Sequence, residues 1–313
     1  MRSYILRSVV STLPTLLGIS ILTFSIVHFI PGDPVTVMFG QSPDPLAIER
    51  LRSLYGLDRP LPVQFFTWLS NVLMGNLGTS LRLETPIASM IAERLPRTLF
   101  LTIAALLVSI MIALPAGLVS AYYNNTRIDF LISALTLVIL AVPSFWVGIL
   151  LIIFFSSYFP AVPLSGYTEP TKNFFGFLAQ LVLPSVTLGL GLTASTTRVL
   201  RSATLEILGQ DYIRSAQAKG LGERHVFLKH ALRNALIPTV TIVAIQVGYL
   251  LGGSIIIERV FSYPGLGLLL LSAVQSRDYP LIQALVLLFA AFFVLVNLIT
   301  DLLYGAINPQ VQY

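Results

Sequence analysis

Apolar residues run along this chain in blocks of roughly 20 or more between charged positions, the length at which a helix spans a hydrocarbon layer. Six stretches lack Asp, Glu, Lys and Arg throughout: 9–30, 98–121, 130–158, 177–197, 235–257 and 280–300. They predict an all-α, polytopic membrane protein with six transmembrane helices. The first follows Arg2 and Arg7, as a secretory signal would. Its apolar run is longer than a signal core, however, and "IPGDP" follows it instead of a small-x-small cleavage site, so a retained anchor is expected.

Between the first two stretches lies a long polar region, 31–97, whose first half is punctuated by Pro31, Pro34, Pro43, Pro45, Pro60 and Pro62. "DPLAIERLRSLYGL" places Leu46, Ile48, Leu51, Leu54 and Tyr55 at helical spacing before Gly56. "PVQFFTWLSNVLMGNLG" does the same with Phe65, Phe66, Trp68, Leu69, Val72 and Leu73, and Gly75 ends it. Such amphipathic helices suit the membrane surface, a soluble partner, or a lid over the membrane helices, and the pattern alone leaves all three open. The chain divides accordingly into 1–30 (first span), 31–97 (loop region with short helices) and 98–313 (spans two to six), the last including a cytoplasmic loop at 198–235.

Composition agrees with the pattern. The 313 residues are 55% hydrophobic and 11% charged, with a mean hydropathy of +0.84, more apolar material than one soluble core of that length buries. Counting basic residues orients the chain. Arg2, Arg7, Arg127, Arg198, Arg201 and the basic residues of 211–238 fall on one side. The short loops opposite hold only Lys172, Arg259 and Arg277. The long 31–97 region counts little, so both termini are expected in the cytoplasm. The same asymmetry accounts for a net charge of +5 without any nucleic acid. The absence of cysteine excludes disulfides, thiolate metal sites and thiol nucleophiles.

Several functional classes fall away on chemistry. A gradient-driven carrier or voltage-gated channel needs ionisable groups within the membrane, and the six stretches offer only His28, near one end of the first. ATP hydrolysis needs a phosphate-cradling Gly-x-x-x-x-Gly-Lys-Ser/Thr loop, but none of Lys172, Lys219 and Lys229 follows a glycine. His28, His225 and His230 match neither a serine-protease nor a His-Glu-x-x-His arrangement, so the chain is not expected to be an enzyme or to bind a metal or cofactor of its own. No internal repeat supports the plan of many secondary carriers. Small residues at Gly189, Gly191, Gly248 and Gly252 suit close helix packing or a passage, and Ser144, Trp146 and Gln246 are the polar and aromatic candidates to line one.

One segment is out of keeping with the rest: "DYIRSAQAKGLGERHVFLKHALRNALIP" at 211–238. A short helix through Ala216 and Ala218 to Lys219 is expected, broken by Gly220, Leu221 and Gly222. A second begins at Glu223, its acid first and its bases later, as the helix dipole favours. Two helices joined by a glycine turn form a knob whose small tip admits a partner's surface. The bases by themselves also satisfy the positive-inside rule.

These residues resemble the cytoplasmic coupling loop of the permeases of binding-protein-dependent ATP-binding-cassette importers, in the peptide/nickel form Y-I-R-x-A-x-A-K-G…H-A-L-R-N-A-x-I-P. The matching positions are Tyr212, Ile213, Arg214, Ala216, Ala218, Lys219 and Gly220, then His230 to Ala235, Ile237 and Pro238. "PGDP" at 31–34, "LPSVTLG" at 183–189, "GSIIIERVFSYPGLG" at 253–267, "RDYPLIQ" at 277–283 and "NLITDLLYGAINPQVQY" at 297–313 are similar to that family's blocks, in order. The tail departs from the family's "DPRIRY", with glutamine for both arginines. The resemblance implies a type I importer permease fold, a second similar permease, two ATPase subunits that bind ATP and magnesium, and an extracytoplasmic substrate-binding protein. It places the ATPase contact on Tyr212, Arg214, Ala216, Ala218, Lys219, Gly220, Leu221, Gly222, Glu223, His230 and Asn234, and gives the 31–97 region a share of the binding-protein dock. It also implies di- or oligopeptides as cargo, with a nickel chelate or glutathione as the alternatives.

Overall fold

The computed structural model describes residues 2–29 and 58–307. In chain order they form α1 (Arg2–Phe29), α2 (Leu61–Leu73), α3 (Ile87–Tyr122), α4 (Arg127–Ala141), α5 (Ser144–Tyr158), α6 (Phe174–Leu208), α7 (Asp211–Ala218), α8 (Glu223–His225), a π-helical turn (Val226–Ala231), α9 (Leu232–Gly253), α10 (Ile255–Val260), α11 (Leu266–Gln275) and α12 (Tyr279–Ile307). An isolated bridge between Thr79 and Pro86 is the one β-type pairing among the described residues. The helix expected within 44–57, the "PGDP" block and the "NPQVQY" tail lie outside them.

Apolar length predicts which segments are helical but not where the helices end. α3 begins at Ile87, well before the stretch that starts at Thr98, and α6 continues to Leu208, past Thr197. Leu200, Ala203 and Thr204 are buried along that extension, so the helix goes on because its packed face goes on. Asn173 starts α6 by accepting the Gly176 amide on its side-chain oxygen at 2.9 Å.

The expected third span, 130–158, is not one rod. α4 and α5 meet at an angle of 97°. Pro143 donates no N–H and drives the residue before it out of the helical region, and Val142 is extended at φ −90°, ψ 126°. Each half has 15 residues, about 22 Å of helix against a hydrocarbon core of about 30 Å, so neither crosses alone. The fifth stretch is also interrupted: α9 stops at Gly253, and α10 follows after Ser254, whose hydroxyl donates to Glu258 at 2.9 Å. Among the described residues four helices are long and apolar enough to span a membrane, or five with the bent pair counted as one. Residues 9–29 of the first stretch fall in α1, which carries the apolar run Thr12–Ser25.

The chain forms two compact units, one of residues 1–98 with 265–295 and the other of 99–264 with 296–313. In the first, Ile87, Met90 and Ile91 pack with Leu266, Leu269, Leu281 and Leu285. Asp278, buried at the head of α12, accepts the Ser80 hydroxyl and the Leu81 amide, which ties the turn before α3 to the start of α12. In the second, Leu101 and Ala105 pack with Leu188, Leu192, Phe261 and Tyr263. A methyl group on Gly189 would lie 2.7 Å from the Ala105 carbonyl oxygen, so only glycine admits this approach of α3 to α6.

Candidate coupling site

The 211–238 segment folds as a base and a tip. The base is apolar: Ile213 is fully buried, as are Val226, Phe227 and Ala231 on the π turn. Phe227 meets the Tyr122 ring edge-to-face at 5.2 Å, which seats the knob against the end of α3. Asn234 on α9 donates to the Tyr212 hydroxyl at 2.9 Å and to the His230 carbonyl at 3.2 Å, so it joins the two helices of the knob.

The tip is set by one glycine. At φ +81° Gly220 lies in the left-handed region. Its amide donates to the Gln217 carbonyl at 2.9 Å, and the next amide, Leu221, reaches back to Ala216 at 3.4 Å. This pair of bonds is the Schellman closure of a helix end, and it satisfies the last carbonyls of α7. Gly222 then accepts the amides of His225 and Val226 and starts the next helix. Ala218, Lys219, Gly220, Leu221, Gly222 and Glu223 are all exposed, and Ala216 is half-buried behind them. Nothing lies within 4 Å of where a methyl on Gly220 or Gly222 would point. The outcome is a small, uncluttered surface of backbone and short side chains rimmed by charge. Arg214 approaches Asp211 only to 3.8 Å with both exposed, and such a pair adds little stability.

Two residues absent from the sequence-based candidates complete the site. Asp129 in the first turn of α4 and Arg201 on α6 form a two-pronged ion pair, Nε to Oδ1 and a terminal nitrogen to Oδ2, both at 2.7 Å. Asp129 also accepts the Ser120 hydroxyl at 2.6 Å and the Asn125 amide at 3.0 Å, while Arg201 donates to Asn124 at 3.0 Å. This cluster lies beside Tyr122, the residue on which the knob rests, and holds the ends of three helices together. The sequence offers only a faint signal, Arg201 being one of the basic residues counted on the knob's side of the membrane.

The candidates for a passage are on different helices. Ser144 and Trp146 occupy the first turn of α5 after the bend, Ser144 half-buried and Trp146 exposed. Gln246 is buried on α9, its amide donating to Ser195 and Thr196 on α6 at 3.1 Å each, so within this chain it serves the packing of α6 on α9. Gly248 is buried, and Gly252 faces open space.

A family model described as "Binding-protein-dependent transport system inner membrane component" matches residues 113–313, and its N-terminal counterpart matches 1–102. Over its whole length the chain is 41% identical to the glutathione transport system permease protein GsiC of Escherichia coli O6:H1, covering 100% of both chains. It is 42% identical to the protein of the same name from Pectobacterium atrosepticum, again over 100% of both. A solved structure of the MetNI methionine ABC transporter in inward-facing conformations aligns with 71% of this chain and 98% of that one, with a TM-score of 0.57 at 20% identity. At that identity the likeness is one of fold.

Proposed function

Because the chain belongs to the binding-protein-dependent transport system inner membrane components, the ABC importer permeases of the peptide/nickel type, we propose that it forms, with a second permease, the passage for a short peptide across the inner membrane. Six spans and cytoplasmic termini belong to this reading. So do two partner ATPase subunits that bind ATP and magnesium, a delivering protein outside that docks in part on 31–97, and a chain with no catalysis or cofactor of its own.

The exposed Gly220 tip on its buried base is the observation that carries the coupling reading. A surface of backbone and small side chains lets a partner's groove close around it, and Arg214, Lys219 and Glu223 at its rim pair with charges there. ATP-driven closure of the ATPase pair displaces the tip, and the knob passes the displacement through Phe227 and Tyr122 to α3. Helices that repack between two arrangements then alternate the side from which the passage opens.

Glutathione is the first cargo to test, because relatives of 41–42% identity over the full chain carry that name. It is itself a tripeptide, which keeps the reading within the short peptides expected from the sequence, and a nickel chelate ranks behind. The test is to co-purify the tagged chain with its partners, rebuild the complex in liposomes and measure ATP-dependent uptake of labelled glutathione and of a dipeptide. Uptake of the dipeptide alone would move the cargo. Uptake without ATP, or a chain that purifies alone, would overturn the permease–ATPase reading.

A further inference from the structure

α2 is a helix without charge. No Asp, Glu, Lys or Arg occurs between Arg59 and Arg82, and Gln64, Thr67, Ser70 and Asn71 gather on one side of the helix at spacings of three and four. Thr67 and Ser70 already give their hydroxyl protons to the Val63 and Thr67 carbonyls, both at 2.8 Å, so the polar side demands little of a partner. The other side is apolar. Part of it leans on α1, where Phe24 meets Phe65 at 5.5 Å and Trp68 at 5.9 Å between ring centroids. The remainder is uncovered: Phe66 is 67% exposed and Leu73 80%.

We infer that α2 is an interfacial helix, with its Phe66 and Leu73 side seated in the bilayer at the boundary of acyl chains and headgroups. Two observations choose lipid over a protein. The first is charge: α2 offers a soluble partner no Asp, Glu, Lys or Arg to pair with, whereas an apolar face bearing Trp and Phe suits the membrane boundary. Without Lys or Arg on the helix, insertion depends on apolar area and does not select anionic lipids. The second is continuity. The side of α2 that is covered rests on Phe24, at the end of the α1 apolar run Thr12–Ser25, and Leu13, Leu17 and Leu22 of that run are themselves exposed. Lipid that surrounds α1 therefore extends to α2 without a break. The inference rests on membership of a membrane family and is independent of cargo and of ATP coupling.

The chain contains no cysteine, so one introduced thiol gives one site on it for a nitroxide label. Phe66→Cys, Leu73→Cys and, on the opposite side, Asn71→Cys are labelled in the assembled importer in phosphatidylcholine nanodiscs, and the signal of the unmodified complex is subtracted. Collision rates with oxygen, which concentrates in lipid, and with a water-soluble nickel chelate are then compared. At positions 66 and 73 oxygen should exceed the chelate severalfold, and at 71 the order should reverse. A chelate rate equal to or above that of oxygen at position 66 would place the face in water. Loss of both rates there, with or without the delivering protein, would place a protein over it. Either result overturns the inference. If Phe66→Cys does not assemble, Leu73→Cys, seven residues on, reads the same face.

Discussion

Arg201 grips Asp129 with two parallel hydrogen bonds of 2.7 Å, and the carboxylate's remaining capacity is filled by Ser120 and Asn125. Both partners are charged, and Asp129 is almost wholly buried. Removing Arg201 leaves the buried carboxylate without its counter-charge, which typically costs about 3–5 kcal/mol. The partly exposed Arg201 keeps Asn124 and some solvent when Asp129 is removed, so that change costs less. Arg201→Met and Asp129→Leu should each lower the melting temperature of the purified complex clearly. Arg201→Lys should lower it less, since it keeps the charge and loses the fork. A melt unchanged in Arg201→Met would mean that the pair does not hold these helix ends.

Gly220 separates backbone strain from docking. Its φ of +81° disfavours other residues by about 1–2 kcal/mol, asparagine least, yet the space beyond it is open. Gly220→Asn should fold and transport nearly as before. Gly220→Glu should also fold, since its side chain meets nothing in this chain, but should break the link between ATP hydrolysis and uptake. Unchanged cargo-stimulated ATPase activity in Gly220→Glu would remove the tip from the coupling contact.

Gln246 is engaged by Ser195 and Thr196, whose hydroxyls also have the Leu192 carbonyl within reach, at 3.1 and 3.0 Å. In Gln246→Leu those hydroxyls fall back on that carbonyl, so the loss should be only about 1 kcal/mol, with the relative uptake of glutathione and dipeptides unchanged. A shift in cargo preference would return Gln246 to the passage.

Asp278 carries three partners: the Ser80 hydroxyl, the Leu81 amide and, at 3.4 Å, the Leu281 amide. Asp278→Ala removes all three at a buried position and leaves the turn of 78–86 held by the Thr79–Pro86 bridge and its local bonds. Amide exchange over that turn should rise by more than tenfold, a change of about 1.4 kcal/mol or more, while the far end of α12 stays protected. Equal acceleration at both ends would indicate global loosening.

Local signals made α2 and the knob legible in the sequence. Gly75 and Gly220 mark ends where the chain turns left-handed, and apolar spacing marks the faces between. The break at Pro143 was less legible. Pro14, Pro184 and Pro238 sit inside helices that run on, so proline alone does not tell a bend from a continuation; neighbouring helices decide. The Asp129–Arg201 pair joins positions 72 apart and leaves no local trace. Gln246 illustrates a further limit: a lone amide in an apolar stretch suits packing and passage alike until its partners are known.

α6 has 35 residues, about 52 Å of rise, against a hydrocarbon core of about 30 Å. It therefore outreaches the bilayer, and Arg201 is fixed near the end that leads into the knob. A beam of that length amplifies rotation: pivoting about its far end by about 5° carries the near end through about 4–5 Å, close to one helical turn. The knob at that end thus needs no large deformation of its own to be displaced. The same tilt carries Gly189, nearly halfway along, by about 2 Å, so α3 must move with α6 at its close approach through Ala105.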